Sequence, residues 1–146
     1  MARFNNSIKV VTDNTDVFIK RLNDTIDAFL HEAGGEVASQ AKRNSRVDTG
    51  QLKSSWTYKV KETRQEVQIG SPLQNAIWEE FGTGEYAVNG DGRKGGWVYT
   101  DRKGKTHFTK GKSPNHTLER AFKFKEKAIK KRIQTLIRGL KWQVKF

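Results

Sequence analysis

The sequence predicts an α+β fold: a small antiparallel β-sheet of two hairpins packed against a long N-terminal helix and a basic C-terminal helix. Three observations carry this. Apolar residues recur at steps of three and four over roughly residues 15–44 and again over about 117–138, the pattern of amphipathic helices. Between them, two stretches alternate apolar and polar side chains with a period of two, each around a short polar turn. Strands and helices do not alternate, so nothing demands the crossovers of a parallel sheet. The 146 residues are of ordinary size for one domain and are read as a single one, residues 1–146, with a mobile glycine-rich loop at about 82–96.

Taken in order, residues 7–12 alternate weakly and suggest a short edge strand. The long helix, Thr15 to Asn44, carries Phe18, Leu22, Ile26, Phe29, Leu30, Ala33, Val37 and Ala41 on one stripe. Asn14 or Thr15 is the expected N-cap, and Asp16 sits where the macrodipole favours an anion. Gly34-Gly35 interrupts the stripe; a kink, a break or close packing against another backbone is expected there. Residues 54–62 then read as a strand with Trp56, Tyr58 and Val60 on one side. Val67 and Ile69 face inward on its hairpin partner, residues 66–70. Residues 77–81 form an apolar element of open type. In the following segment, six glycines between Gly82 and Gly96 leave little that can build a core. The second hairpin pairs residues 97–100 with 106–109 across Asp101-Arg102-Lys103-Gly104, where a late glycine suits a positive φ. Ser113-Pro114 introduces the last helix, for which Gly139 is the expected stop.

Composition bounds the function. There is no cysteine, which excludes a disulfide framework and a thiolate metal site and is compatible with a reducing cytosol. No apolar run approaches a membrane span, and the first residues lack the apolar core of a secretory signal. The net charge is +12 and is unevenly placed. Over residues 1–45 the two signs balance, whereas from Glu119 onward only Glu119 and Glu126 oppose a long series of lysines and arginines. Such a segment attracts polyanions, or simply forms a solvated face.

Chemistry is sparse. His31, His107 and His116 stand at no metal spacing in the sequence and read as a helix-surface, a sheet-surface and a capping residue. No phosphate-cradling loop and no nucleophile elbow are present. Glu79-Glu80 is the one carboxylate pair singled out. If extended, these neighbours point to opposite faces and make a poor acid–base couple. No catalytic residue, cofactor or metal ligand is therefore assigned. Asp48-Thr49-Gly50 reads as an Asx-type turn from the first helix into the first strand.

Two strings say more in combination. Val47-Asp48-Thr49-Gly50, with Leu52 and Ser55, is followed by Glu80-Phe81-Gly82-Thr83, and then by Gly111, Pro114, Leu118, Ala121 and Phe122. This pattern, extending over nearly the whole chain, resembles the head–tail joining or tail-completion proteins (minor tail components, neck proteins) of long-tailed double-stranded DNA bacteriophages. Two positions depart from it: Asn75-Ala76 replaces a usual Tyr-Ala pair, and Arg46 replaces a usual proline. The resemblance implies a structural virion protein of the neck or tail, assembled in the host cytoplasm. It implies a homo-oligomeric ring, commonly of six, joining head-completion or connector proteins to the tail tube. The motif residues would then be structural or interface positions. Trp78, Trp97 and Tyr99 are candidate interface anchors, and Trp56 a core residue. Arg93, Lys94, Arg102, Lys103 and Lys105 could face partner proteins or DNA in the channel. The alternative is a non-sequence-specific nucleic-acid-binding protein using the basic C-terminal helix; a small basic nuclease lacks an assembled base.

Overall fold

The computed structural model describes residues 14–47 and 50–143, with side chains to 140. The edge strand expected at 7–12 lies outside the described residues. The order is α1 (Thr15–Asn44), α2 (Gln51–Ser55), β1 (Thr57–Lys61), β2 (Glu66–Gly70), α3 (Asn75–Phe81), β3 (Trp97–Thr100), β4 (Thr106–Thr109) and α4 (Thr117–Gln143). Helices and antiparallel hairpins are segregated, so the α+β class holds. The hairpins do not merge, however: β1–β2 and β3–β4 are separate two-stranded ribbons.

α1 is continuous through Gly34-Gly35, and close packing is what the glycines serve. The β1–β2 ribbon lies across α1 with Tyr58 opposite Ile69 and Val60 opposite Val67. A Cβ on Gly34 would stand 2.7 Å from both the Tyr58 ring and a Val67 methyl. At the start of α1, Asn14 occupies the N-cap position and its carbonyl accepts the Phe18 N–H at 3.0 Å, but its side chain makes no capping bond. The long inner face of α1 packs on both the ribbon and α4.

The core gathers Val37, Ala41, Trp56, Ala76 and Ala121, with Leu52, Ile69, Leu118 and Ile129 around them. Trp56 is buried as expected, and its indole N–H donates to Ser45 Oγ at 2.6 Å. Two sequence expectations need correction, and one element left open is settled. The strand expected from Ser54 begins at Thr57, because Ser54 and Ser55 turn their hydroxyls back onto the Gln51 and Leu52 carbonyls and close the single turn of α2. That turn delivers Leu52 to the core. The open element at 77–81 is the helix α3. And α4 runs through Gly139 to Gln143, because nothing at that glycine takes up the left-handed conformation that a stop requires.

The second ribbon forms over the expected residues, with Val98 facing Phe108 and Tyr99 facing His107. Its turn is built on Asp101, whose Oδ1 accepts the N–H groups of Lys103 and Lys105 at 2.9 Å each. Gly104 supplies a φ of +80°.

The helical glycines separate two opposed effects. Gly34→Ala gains about 1 kcal/mol of helix propensity but forces a methyl into Tyr58 and Val67, an overpacking cost of about 1–3 kcal/mol. Gly139→Ala meets nothing within 4 Å and should stabilise by roughly 0.5–1 kcal/mol. Thermal melts of the two variants should therefore shift in opposite directions; equal shifts would contradict the packing described here.

Candidate functional site

Three segments converge beside the core: the end of α1, the end of α3 and the linker into α4. Glu79 is at their centre. It follows Ala76 by three positions on the buried face of α3, so its carboxylate is carried inward with the alanine. The side chain is fully buried. The Lys112 ammonium hydrogen-bonds Glu79 Oε2, and Arg46 Nε lies 3.7 Å from Oε1. Both cations keep roughly half their surface in water, so only the carboxylate loses its hydration.

Backbone and amide bonds close the ring of contacts. The Glu79 carbonyl accepts the Asn115 N–H at 2.8 Å. Asn115 Nδ2 donates to the Asn44 carbonyl and to Thr117 Oγ1, 2.8 Å each, and Arg46 Nη1 donates to the Ser113 carbonyl at 3.2 Å. Glu80 turns the other way. Its two oxygens accept the N–H groups of Leu118 at 2.7 Å and Glu119 at 3.0 Å, placing a carboxylate at the positive end of α4. Successive residues diverge on a helix as they do on a strand, so the pair serves two unrelated partners although the element is helical, not extended.

The second motif is clasped by the same linker. Gly82 adopts φ +74° with no room for a side chain: a Cβ would sit 2.8 Å from the Tyr86 carbonyl and 2.9 Å from Pro114 Cδ. Thr83 N–H donates to the Lys112 carbonyl and Thr83 Oγ1 accepts the Lys112 N–H, both at 2.9 Å, and Glu85 N–H reaches the Lys110 carbonyl. The first part of the 82–96 segment is thus hydrogen-bonded to residues 110–112. Of the first motif, Asp48 and Thr49 lie outside the described residues. Val47 is exposed, Gly50 has φ +78°, Leu52 packs on the core and Ser55 Oγ lies 2.6 Å from Ser71 Oγ.

Apolar side chains face outward on α3 and on the second ribbon, as they also do at the start of α1 and at Phe122 and Phe124 of α4. On α3, Ile77, Trp78 and Phe81 are each about half exposed, and with Val88, Gly84 and Gly92 they line a groove of about 330 Å³. On the second ribbon, the cross-strand pair Val98 and Phe108 is 63% exposed at both positions. Tyr99 stacks on His107 at 5.3 Å, and Arg93 lies 5.6 Å over the half-buried Trp97 ring. Lys94, Arg102, Lys103 and Lys105 are exposed around this ribbon.

One grouping escaped the sequence. Glu80, His116 and Glu119 bring ligand atoms within 4.8 Å of one another, although no spacing in the chain suggests it, because Glu80 comes from α3. Both Glu80 oxygens are occupied by the backbone of α4, and Glu119 pairs with Lys123 at 2.5 Å and His116 at 3.1 Å. The arrangement is a helix cap assembled from two elements. The Lys123 hydrogen bond, with that charge beside it, holds the Glu119 carboxyl below its usual range.

The family comparison bears on these segments directly. The family model HK97-gp10-like, described as "Bacteriophage HK97-gp10, putative tail-component", matches residues 4–82, more than half of the chain. The chain belongs to this family. It is thus a phage tail component, a component of the virion. The match takes in α1 through α3 and ends at Gly82 of the second motif; Pro114 and the rest of the third block lie beyond it. No curated protein and no solved structure matches the chain.

The clasp makes an asymmetric prediction. Lys112→Ala strands a buried carboxylate with one distant cation, and should cost about 3 kcal/mol. Glu79→Gln leaves two cations that water already reaches, and should cost about half as much. Urea denaturation of both variants checks the order; a larger loss for Glu79→Gln contradicts it.

The turn of the second ribbon makes another. The His107 hydrogen bond foremost, then the Lys105 and Lys103 N–H groups, hold Asp101 below its usual value of 3.8. A depressed folded-state pKa means that this contribution is intact above 3.8 and is lost as pH falls through the lower folded value. The amide protons of Lys103 and Lys105, followed by NMR, should titrate with a midpoint under 3.8; a midpoint above it excludes the contact.

Proposed function

We propose that this tail component is a structural subunit of the neck or upper tail. It assembles head-to-tail with copies of itself into a ring and joins head-completion or connector proteins to the tail tube, without catalysis. The observation that carries this reading is the outward apolar face of α3, Ile77, Trp78 and Phe81 beside the groove. Large exposed aromatics at a groove are what protein interfaces bury as anchors.

The second ribbon supports it. A lone two-stranded hairpin is marginally stable in water and leaves its edges unpaired. This one also exposes an apolar cross-strand pair. The two apolar surfaces are unlike each other, and contacts between unlike surfaces of one chain are heterologous, the kind that closes into rings. The titratable groups that converge have structural partners: Glu79 holds Lys112 and Arg46, and Glu80 caps α4. Neither faces the groove.

Trp78→Asp and Phe81→Asp remove rings that are about half buried, so each should also cost about 1–3 kcal/mol of stability; helical circular dichroism verifies that each variant folds. Each should weaken assembly by about 2 kcal/mol or more, roughly thirty-fold. Mass measurement in solution and negative-stain imaging with the tail-tube and connector proteins report this. A phage carrying Trp78→Asp should accumulate unjoined heads and tails. Normal yields of infectious particles from that phage, or from one lacking the gene, would overturn the proposal.

A further inference from the structure

The cations of α4 differ in what faces them, and Lys125 stands apart, half-buried with its ammonium 5.6 Å over the Phe124 ring. Arg132 reaches back to α1, 2.7 Å from Glu36 and 3.2 Å from Glu32. Lys123 and Lys130 pair with Glu119 and Glu126, one turn earlier, at 2.5 Å each. Arg120, Lys127, Lys131 and Arg138 share none of these acids. At 3.6 residues per turn these four fall within about 40° of one another on the helix. They are all exposed, on the side opposite Leu118, Ala121 and Ile129, which face the core. Glu119 and Glu126 lie on a flank, so no carboxylate of α4 interrupts the line. Arg120 donates to the Asn115 carbonyl and side-chain oxygen, neutral acceptors that orient its charge without cancelling it.

We propose that this line is a sequence-blind binding surface for the phosphate backbone of double-stranded DNA. From residue 120 to 138 it extends about 27 Å, comparable to eight base pairs at about 3.4 Å each. It is convex and mostly charged. Phe124, an exposed aromatic about 40° from Arg120 on the helix, stands singly beside it with the Lys125 ammonium 5.6 Å over its ring; one ring makes no groove of stacked aromatics for a single strand, and Gln134 is the one amide along the line, too little for reading base edges. Charge is what it offers, and a duplex is the partner of highest linear negative charge. The inference is independent of ring assembly, which uses α3 and the second ribbon.

The test is a salt titration of the full chain against a mixed-sequence DNA duplex, read by fluorescence anisotropy. Affinity should fall linearly on a log–log plot as salt rises. Lys127→Gln combined with Lys131→Gln removes two phosphate contacts and should make that slope shallower by about 1.8; Gln134→Lys adds a cation on the same line and should steepen it by about 0.9. All three positions are exposed, and helical circular dichroism unchanged from the parent verifies that each variant folds. Three results would each overturn the proposal: no binding at about 50 mM salt, slopes identical in parent and variants, or polyglutamate binding as tight as DNA.

Discussion

The structure depends on one buried charge. Glu79 lies on a short helix whose other inward residue is an alanine, and its carboxylate has no water to solvate it. A carboxylate so placed must find cations or be expelled, since an unpaired buried charge costs several kcal/mol. The cations come from opposite ends of the chain's path: Arg46 as the first helix ends, Lys112 before the last helix begins. Pairing the charge of one group therefore fixes three segments at once. Asn44, Asn115 and Thr117 then bond across the same junction, and Glu80, held in place by its neighbour, caps α4. The positions of α3, the clasped glycine turn and the last helix all follow from where Glu79 goes.

That dependence explains which parts of the fold were legible in the sequence. α1 and the two ribbons are local patterns: a stripe at steps of three and four, and alternation around turn residues. The bounds of α1, of residues 66–70 and of the second ribbon could be read from the residues alone, whereas the first strand was read three residues too early. The misreadings occurred where long-range contacts decide. A five-residue turn such as α2 is set by serine hydroxyls and by a core that accepts Leu52, neither visible as periodicity. α3 is too short to show a period, and the Glu79-Glu80 pair read only as a poor acid–base couple because the sequence does not show that Lys112 and the N-terminus of α4 wait for it. Gly139 looked like a stop because glycine often takes a positive φ after a helix, but that preference acts only when the chain must turn. The motif residues were visible as a set, while their division of labour was not: Gly82 and Thr83 are clasped by the linker, Leu52 fills the core and Phe81 points outward.

The family match ends at Gly82, yet the physical unit does not. The core cluster takes Ala121, Leu118 and Ile129 from beyond that point, and the Glu79 carboxylate takes Lys112. A chain ending at the match boundary would expose Val37, Ala41 and Trp56 and leave Glu79 with Arg46 alone. The later residues are thus part of the scaffold that the matched region needs. They also carry what distinguishes the surface: the second ribbon, its cations and the outer face of α4.

Those additions divide the exterior by chemistry. α3 and the second ribbon present aromatic and branched side chains that gain free energy by leaving water, about 25 cal/mol for each Å² covered. The outer line of α4 presents cations whose attraction is long-ranged, non-directional and weakened by salt. An apolar contact fixes a neighbour's position and orientation; a salt-sensitive contact with a phosphate chain permits sliding. Rigid attachment on one face and tolerant contact on another are compatible only if the two are kept on separate elements. The ion pairs of Lys123, Lys130 and Arg132 contribute to that separation by neutralising three cations on the flank and inner side of α4, so that Arg120, Lys127, Lys131 and Arg138 form its one continuous outward line of charge.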